Sequence, residues 1–133
     1  MSQENVEIAK RWADAFNRRD LDALMETVSP DFAFLPAMAD TIDGNSFQRR
    51  EGMEAYFVDV ENAWDELRLI YDEYRDLGDR VLALGRIEGR GRGSGAVVET
   101  PQGAVGEFRD GKLSSARSYL DHAEALKAVG LEE

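Results

Sequence analysis

Few residues in this chain have an obvious capacity for chemistry. Asp121 and His122 are adjacent, and His122 is the single histidine. A carboxylate beside an imidazole suggests acid–base work. The same stretch, Asp121-His122-Ala123-Glu124, also fits a capping box, with Asp121 at the N-cap and Glu124 three residues on. Neighbouring side chains point in different directions, so the two are not poised to share a proton, and capping is the stronger reading. Arg86, Glu88, Arg90 and Arg92 occupy alternate positions of one stretch. They form either a stripe that grips an anion or a solvated face paired across strands with Glu99 and Glu107. Alternating charge is common on wetted sheet faces, which favours the second. Gly85, Gly89, Gly91, Gly93 and Gly95 are not a phosphate loop, because no GxxxxGK followed by Ser or Thr is present. Glycines at alternate strand positions indicate bulges or sharp bending instead. With one histidine and no cysteine, neither a transition-metal site nor a thiol nucleophile is expected, and no cofactor is implied.

The elements that must hold these residues divide near residue 66, where the apolar period changes. Val6, Ala9, Ala13 and Phe16, widened by Ile8, Trp12 and Ala15, predict a first helix. Asp20 is placed to cap a short second helix carrying Leu21, Leu24, Met25 and Val28, ended by Pro30. Phe32 to Leu35 reads as a short strand and 36–48 as loop. Met53, Tyr56, Phe57, Val60 and Trp64 predict a third helix. Strands then dominate, at 67–71, 81–92, 102–109 and 112–120, with Asp110-Gly111 as a strong hairpin signal. Ala125, Leu126 and Val129 mark a closing helix, with Gly130 as its C-terminal cap. The expected class is α+β, with the helices segregated onto one face of a curved, largely antiparallel sheet. Most of the large aromatics, Trp12, Phe16, Phe34, Tyr56, Phe57 and Trp64, must fill the core; a minority could line a pocket.

The chain has 133 residues, 16 basic and 27 acidic side chains, and a formal net charge of −11. That length suits a single domain spanning 1–133. The charge opposes binding to nucleic acid or an anionic membrane, which draws on Lys and Arg. At 43% hydrophobic residues the chain is not of disordered composition, and its apolar runs are too short to span a bilayer. The polar, acidic start is unlike a signal peptide, so a cytoplasmic protein is expected. Most acids fall on helix exteriors, caps and turns, which suits solubility and local capping.

Several motifs in order resemble the SnoaL-like branch of the nuclear transport factor 2-like superfamily. They are Ala15-Phe16-Asn17-Arg18-Arg19-Asp20-Leu21-Asp22-Ala23-Leu24, Gly52 to Phe57, Gly89 to Gly95, Phe108-Arg109-Asp110-Gly111-Lys112, Arg117-Ser118-Tyr119-Leu120-Asp121, and Glu124 to Leu131. The resemblance spans nearly the whole chain. It implies a cone-shaped sheet wrapped around the N-terminal helices, a deep pocket at the open end, and homodimers packed through the sheet face. Members include ketosteroid isomerases, polyketide cyclases, limonene epoxide hydrolases and non-catalytic binders, so the fold does not decide function.

Carried over residue by residue, the family's proton-transfer groups are missing. The isomerases' tyrosine donor falls at Trp12, their base at Pro36, and their second oxyanion donor near Val105. Asp40, in the following loop, is the nearest carboxylate available to replace the base. The cyclases' acid–base aspartate falls at Ser118, and their histidine at Ala104. The hydrolases' aspartate–arginine–aspartate relay cannot be assembled. If Ser118 faces the cavity, Ser114, Ala116 and Leu120 share its side. Three of these four are small, so the wall there is set back, leaving room for a ligand or for Trp12.

The leading expectation is therefore a homodimer whose apolar pocket binds a small hydrophobic molecule. Trp12, Phe16, Phe34 and Tyr56 would line it, with Arg86 and Ser118 as polar contacts. One alternative is an isomerase, cyclase or hydrolase acting on a small carbonyl or polyketide-like substrate, with Asp40 as base and Trp12 or Tyr56 as donor. The other is a non-catalytic assembly module with a collapsed pocket.

Overall fold

The computed structural model describes residues 2–37 and 46–131. Helix α1 (Ser2–Arg18) turns its apolar stripe inward, burying Val6, Ile8, Trp12, Ala15 and Phe16. Helix α2 (Leu21–Met25) starts as expected, with the Asp20 carboxylate accepting a hydrogen bond from the Ala23 amide at 3.0 Å. It stops earlier than its apolar pattern suggests. Strand β1 (Val28–Leu35) takes over at Val28 and contains Pro30. Proline brings no N–H to a ladder. The β1 register against its neighbour slips between Val28 and Ala33, the interval that includes Pro30. Phe47–Gln48, expected as loop, form a short strand β2 on the outer side of β1.

Helix α3 (Arg49–Ala63) buries Met53, Tyr56, Phe57 and Val60. Trp64 continues that stripe in sequence but not in space. It is extended, with φ −131° and ψ 136°, and opens strand β3 (Trp64–Asp76). Arg92 fixes this break, since its amide bonds Ala63 O at 2.9 Å and its guanidinium donates to Glu61 O and Trp64 O. Strands β4 (Arg80–Gly91), β5 (Val97–Arg109) and β6 (Lys112–Tyr119) complete the antiparallel meander. Asp110 and Gly111 both take positive φ, 54° and 76°, in the hairpin turn that their sequence signals. Helix α4 (His122–Ala128) is capped by Asp121, which accepts from the Ala123 amide at 2.7 Å. It closes with bonds from Gly130 N to Lys127 O and Leu131 N to Leu126 O, the Schellman pattern.

The sheet runs in the order β2-β1-β6-β5-β4-β3, with β1 parallel to β6 and every other pair antiparallel. Helices α1 to α3 and the main core lie on its inner face. The expectation that all helices share one face is corrected here. Helix α4 lies on the outer face, where Ala125 and Val129 join Leu82, Leu84 and Val105 in a second core cluster. Gly103 permits this: a Cβ there would stand 2.5 Å from the Cβ of Ala125.

The inner helix is fastened to the sheet by polar side chains. Asn17 exchanges two 2.8 Å bonds with the backbone of Leu69, and Arg19 donates to Leu67 O at 2.8 Å and to Phe16 O at 2.6 Å. β3 is an edge strand, so these side chains occupy backbone groups that would otherwise lack a neighbour. No helix among the described residues is long and apolar enough to cross a membrane.

Candidate functional site

Between α1 and the inner face of the sheet lies a cavity. Ala9 and Trp12 come from α1, Phe34 from β1, and Tyr71 and Tyr74 from β3. The rest of the wall is made by Val81 and Ala83 of β4, Ala104 and Gly106 of β5, and Leu113, Ala116 and Ser118 of β6. The open volume is about 40 Å³, room on the order of two or three water molecules. Small residues on three adjacent strands set the wall back opposite the Trp12 indole. That is the arrangement expected around Ser118, which is 7% exposed and sits opposite Ala104 in the ladder. Alternation carries Ala116 to the same side, but not Ser114 or Leu120. The β5–β6 register shifts between Glu107 and Phe108, so Leu113 faces inward, and Leu120 lies beyond the strand, 44% exposed.

Aromatic packing holds the inner wall. Trp12 stacks on Phe16 at 5.5 Å between centroids and meets Phe34 at 5.3 Å. Phe34 contacts Tyr56 edge-on at 5.2 Å. Such pairs contribute about 0.5–1.5 kcal/mol each beyond area burial. Phe16 and Tyr56 belong to this cluster and not to the cavity wall. Burial raises the Tyr56 phenol to about 12, a shift that Arg19 opposes through its charge.

The polar groups of the cavity are few. The Trp12 indole N–H is buried and has no hydrogen-bond partner among the described residues. Tyr71 accepts a bond from Gln102 Nε2 at 3.0 Å. Burial drives its phenol far above the ordinary tyrosine range, and the Gln102 bond opposes this. Burial likewise pushes Tyr74 up to about 12. No charged side chain stands among the described residues of the wall.

Other sequence candidates lie elsewhere. Arg86 is on the outer face of β4, where it pairs with Glu88 at 2.8 Å and Asp72 at 3.4 Å. Its parity with Leu84 directs it away from the cavity, which corrects its expected role as a polar contact. The arginine stripe is a solvated ion-pair face, with Arg92 joined to Asp65 at 3.1 Å. His122 bonds Gly85 O through Nε2 at 2.7 Å and does not engage Asp121 in proton sharing. Val105, near the position of the isomerases' second donor, faces α4 on the outer side; its neighbour Ala104 is the one that faces the cavity. Pro36 is buried just after β1. Asp40 lies outside the described residues. The sequence offered no motif for Tyr71 or Gln102. The only signal for Tyr71 was its place in an alternating apolar run, and Gln102 had none.

A family model described as a SnoaL-like domain matches residues 9–116. No curated protein matches significantly. Among solved structures, a nuclear transport factor 2-like protein of unknown function from Burkholderia pseudomallei K96243 is 22% identical. It covers 96% of this chain and 98% of its own, with a TM-score of 0.78. TerC, co-crystallised with polyporic acid, is 21% identical over 93% of this chain and 96% of its own, with a TM-score of 0.78. A putative SnoaL-like polyketide cyclase from Jannaschia sp. CCS1 is 20% identical over 98% and 94%, with a TM-score of 0.75. At such identities these likenesses establish the fold alone.

Proposed function

The chain belongs to the SnoaL-like domain family, and on that footing we propose that its inner-face cavity binds a small, uncharged, mostly hydrophobic molecule. The observation that carries this is a wall without charge among its described residues, one member of which, Trp12, holds a buried and unpaired N–H. A buried donor without a partner is costly, and a ligand acceptor would offset that cost. The open volume of about 40 Å³ is small, so an occupant larger than a few atoms enters by displacing side chains of the wall.

Thermal-shift screening against ketosteroids and neutral aromatic polyketides tests the proposal. A concentration-dependent rise in Tm is expected for at least one compound, weakened in Trp12→Phe. Absence of any shift across the panel would overturn it. Acid–base turnover requires a proton acceptor at the ligand, and Asp40→Ala measured alongside wild type decides that question. A compound bound equally by both and never converted removes Asp40 as a base.

The small cavity volume favours a second reading, a dimeric assembly module. Its working surface would be the part of the outer sheet face not covered by α4, where Val97 is 77% exposed. A stable dimer with no ligand from the panel selects this reading. In either case we infer a homodimer packed through that face.

A further inference from the structure

Gln102, Gly85 and Tyr71 lie side by side across three strands. In the ladders Tyr71 of β3 is opposite Gly85 of β4, and Gly85 is opposite Gln102 of β5. The middle position has no side chain, and a Cβ there would overlap the backbone of Ile70 and Tyr71. Gln102 therefore reaches across the intervening strand and donates from Nε2 to the Tyr71 oxygen at 3.0 Å. Gln102 is 3% exposed, so this amide is committed to an interior contact.

The polarity of that bond matters. A phenol oxygen that accepts from an amide still has its own proton to donate. Among the described residues the Tyr71 hydroxyl has no acceptor, and Tyr71 lines the cavity. We propose that Tyr71 is the specificity-determining donor of the cavity, oriented by Gln102, and that it selects a neutral ligand bearing a hydrogen-bond acceptor, for which a carbonyl oxygen is the probe. This rests on the cavity being a binding site. Tyr74 and Ser118 of the same wall carry hydroxyls of their own, and no carboxylate stands among the described wall residues to compete for the Tyr71 proton. Such a wall favours an acceptor over a hydrocarbon, since a hydrocarbon leaves buried donors unpaired. Gln102 is a positioning residue that acts through Tyr71.

A matched pair of probes separates this proposal from the reading beneath it. Acetophenone and α-methylstyrene have nearly the same shape, the second replacing C=O by C=CH2. Both are titrated into wild type, Tyr71→Phe and Gln102→Glu in neutral buffer, followed by the indole N–H signals in nitrogen-15 NMR. Wild type is expected to bind acetophenone about tenfold more tightly than α-methylstyrene. Tyr71→Phe brings the ratio near one while leaving the α-methylstyrene Kd within about twofold. Gln102→Glu, which presents an acceptor in place of the amide donor, draws the Tyr71 proton away and also collapses the ratio. A wild-type ratio near one, or a ratio that persists in Tyr71→Phe, overturns the donor assignment and leaves the cavity as a binding site. A ratio that persists in folded Gln102→Glu overturns the positioning role. Failure of both probes to bind wild type overturns the binding site, and the donor assignment with it.

Discussion

Asn17, Arg19 and Asp20 lie within four consecutive residues, and each solves a different backbone problem. Asn17 satisfies both the N–H and the C=O of Leu69, Arg19 takes carbonyls of Phe16 and Leu67, and Asp20 caps α2. Replacing Asn17 by Ala leaves an amide and a carbonyl of the edge strand short of partners in a half-buried setting. We expect a loss of about 2 kcal/mol in urea denaturation, against about 1 kcal/mol for Asp20→Ala, where only a cap is lost. Equal losses in the two variants would mean that the Asn17 clamp contributes no more than a helix cap. At the same scale, the cavity is defined by what its wall residues lack. Ala83, Ala104, Gly106 and Ala116 fill little space, and the Trp12 indole closes the opposite side.

Among the elements, α4 is the one whose position alternation alone did not reveal. Its apolar face is short, and it packs on Leu82, Leu84 and Val105 because Gly103 lets it approach the sheet. Adding a methyl group there drives Ala125 away from the strand. Gly103→Ala is expected to destabilise the protein by about 1–3 kcal/mol. The amides of α4 should lose hydrogen-exchange protection before those of α1. Unchanged protection in α4 would show that the helix tolerates a wider separation from the sheet. The bend of the sheet also belongs to this scale. Opposite Gly85 the β3 register shifts between Tyr71 and Glu73, which places Tyr71 and Tyr74 on the same inner wall although they are three residues apart.

For the whole molecule, the buried phenols set an alkaline limit. Burial raises Tyr56 and Tyr74 to about 12, against about 10 in an unfolded chain. Above the unfolded value the denatured chain releases these protons while the native state retains them, so stability falls as pH rises from about 10 towards 12. Urea midpoints measured from pH 8 to 11.5 should fall above pH 10, and less steeply for Tyr56→Phe. A slope unchanged in that variant would assign the loss to other groups. The outer sheet face carries the proposed dimer contact. Val97→Arg is expected to convert dimer to monomer in sedimentation velocity, by replacing an exposed apolar side chain with a second positive charge beside Arg90. A dimer that survives this change would locate the interface elsewhere.

How much was legible in the sequence differs from element to element. Local chemistry was readable wherever neighbours in sequence decide the outcome. The Asp20 and Asp121 caps, the Asp110-Gly111 turn, the Gly130 helix end, the stripe of α1 and that of α3 as far as Val60 appear as written. Errors arose where a distant contact prevailed. Val28 left its helical pattern for a strand beside β6, and Trp64 left its stripe because Arg92 ties off α3. The site shows the same division. Trp12, Phe34 and Ser118 were recoverable from apolar periodicity and from resemblance to a family. Tyr71 and Gln102 were not, because they are 31 residues apart and meet only through the register of three strands. By itself the sequence determined the order of the helices and the long strands, the family, and the small inward residues Ala116 and Ser118, since these depend on composition, spacing and strand parity. Only the tertiary structure decided which face α4 covers, where Arg86 points and that Tyr71 and Tyr74 share the cavity wall. Those depend on strand register and bulges, and a one-residue shift of register reverses the face of every side chain that follows.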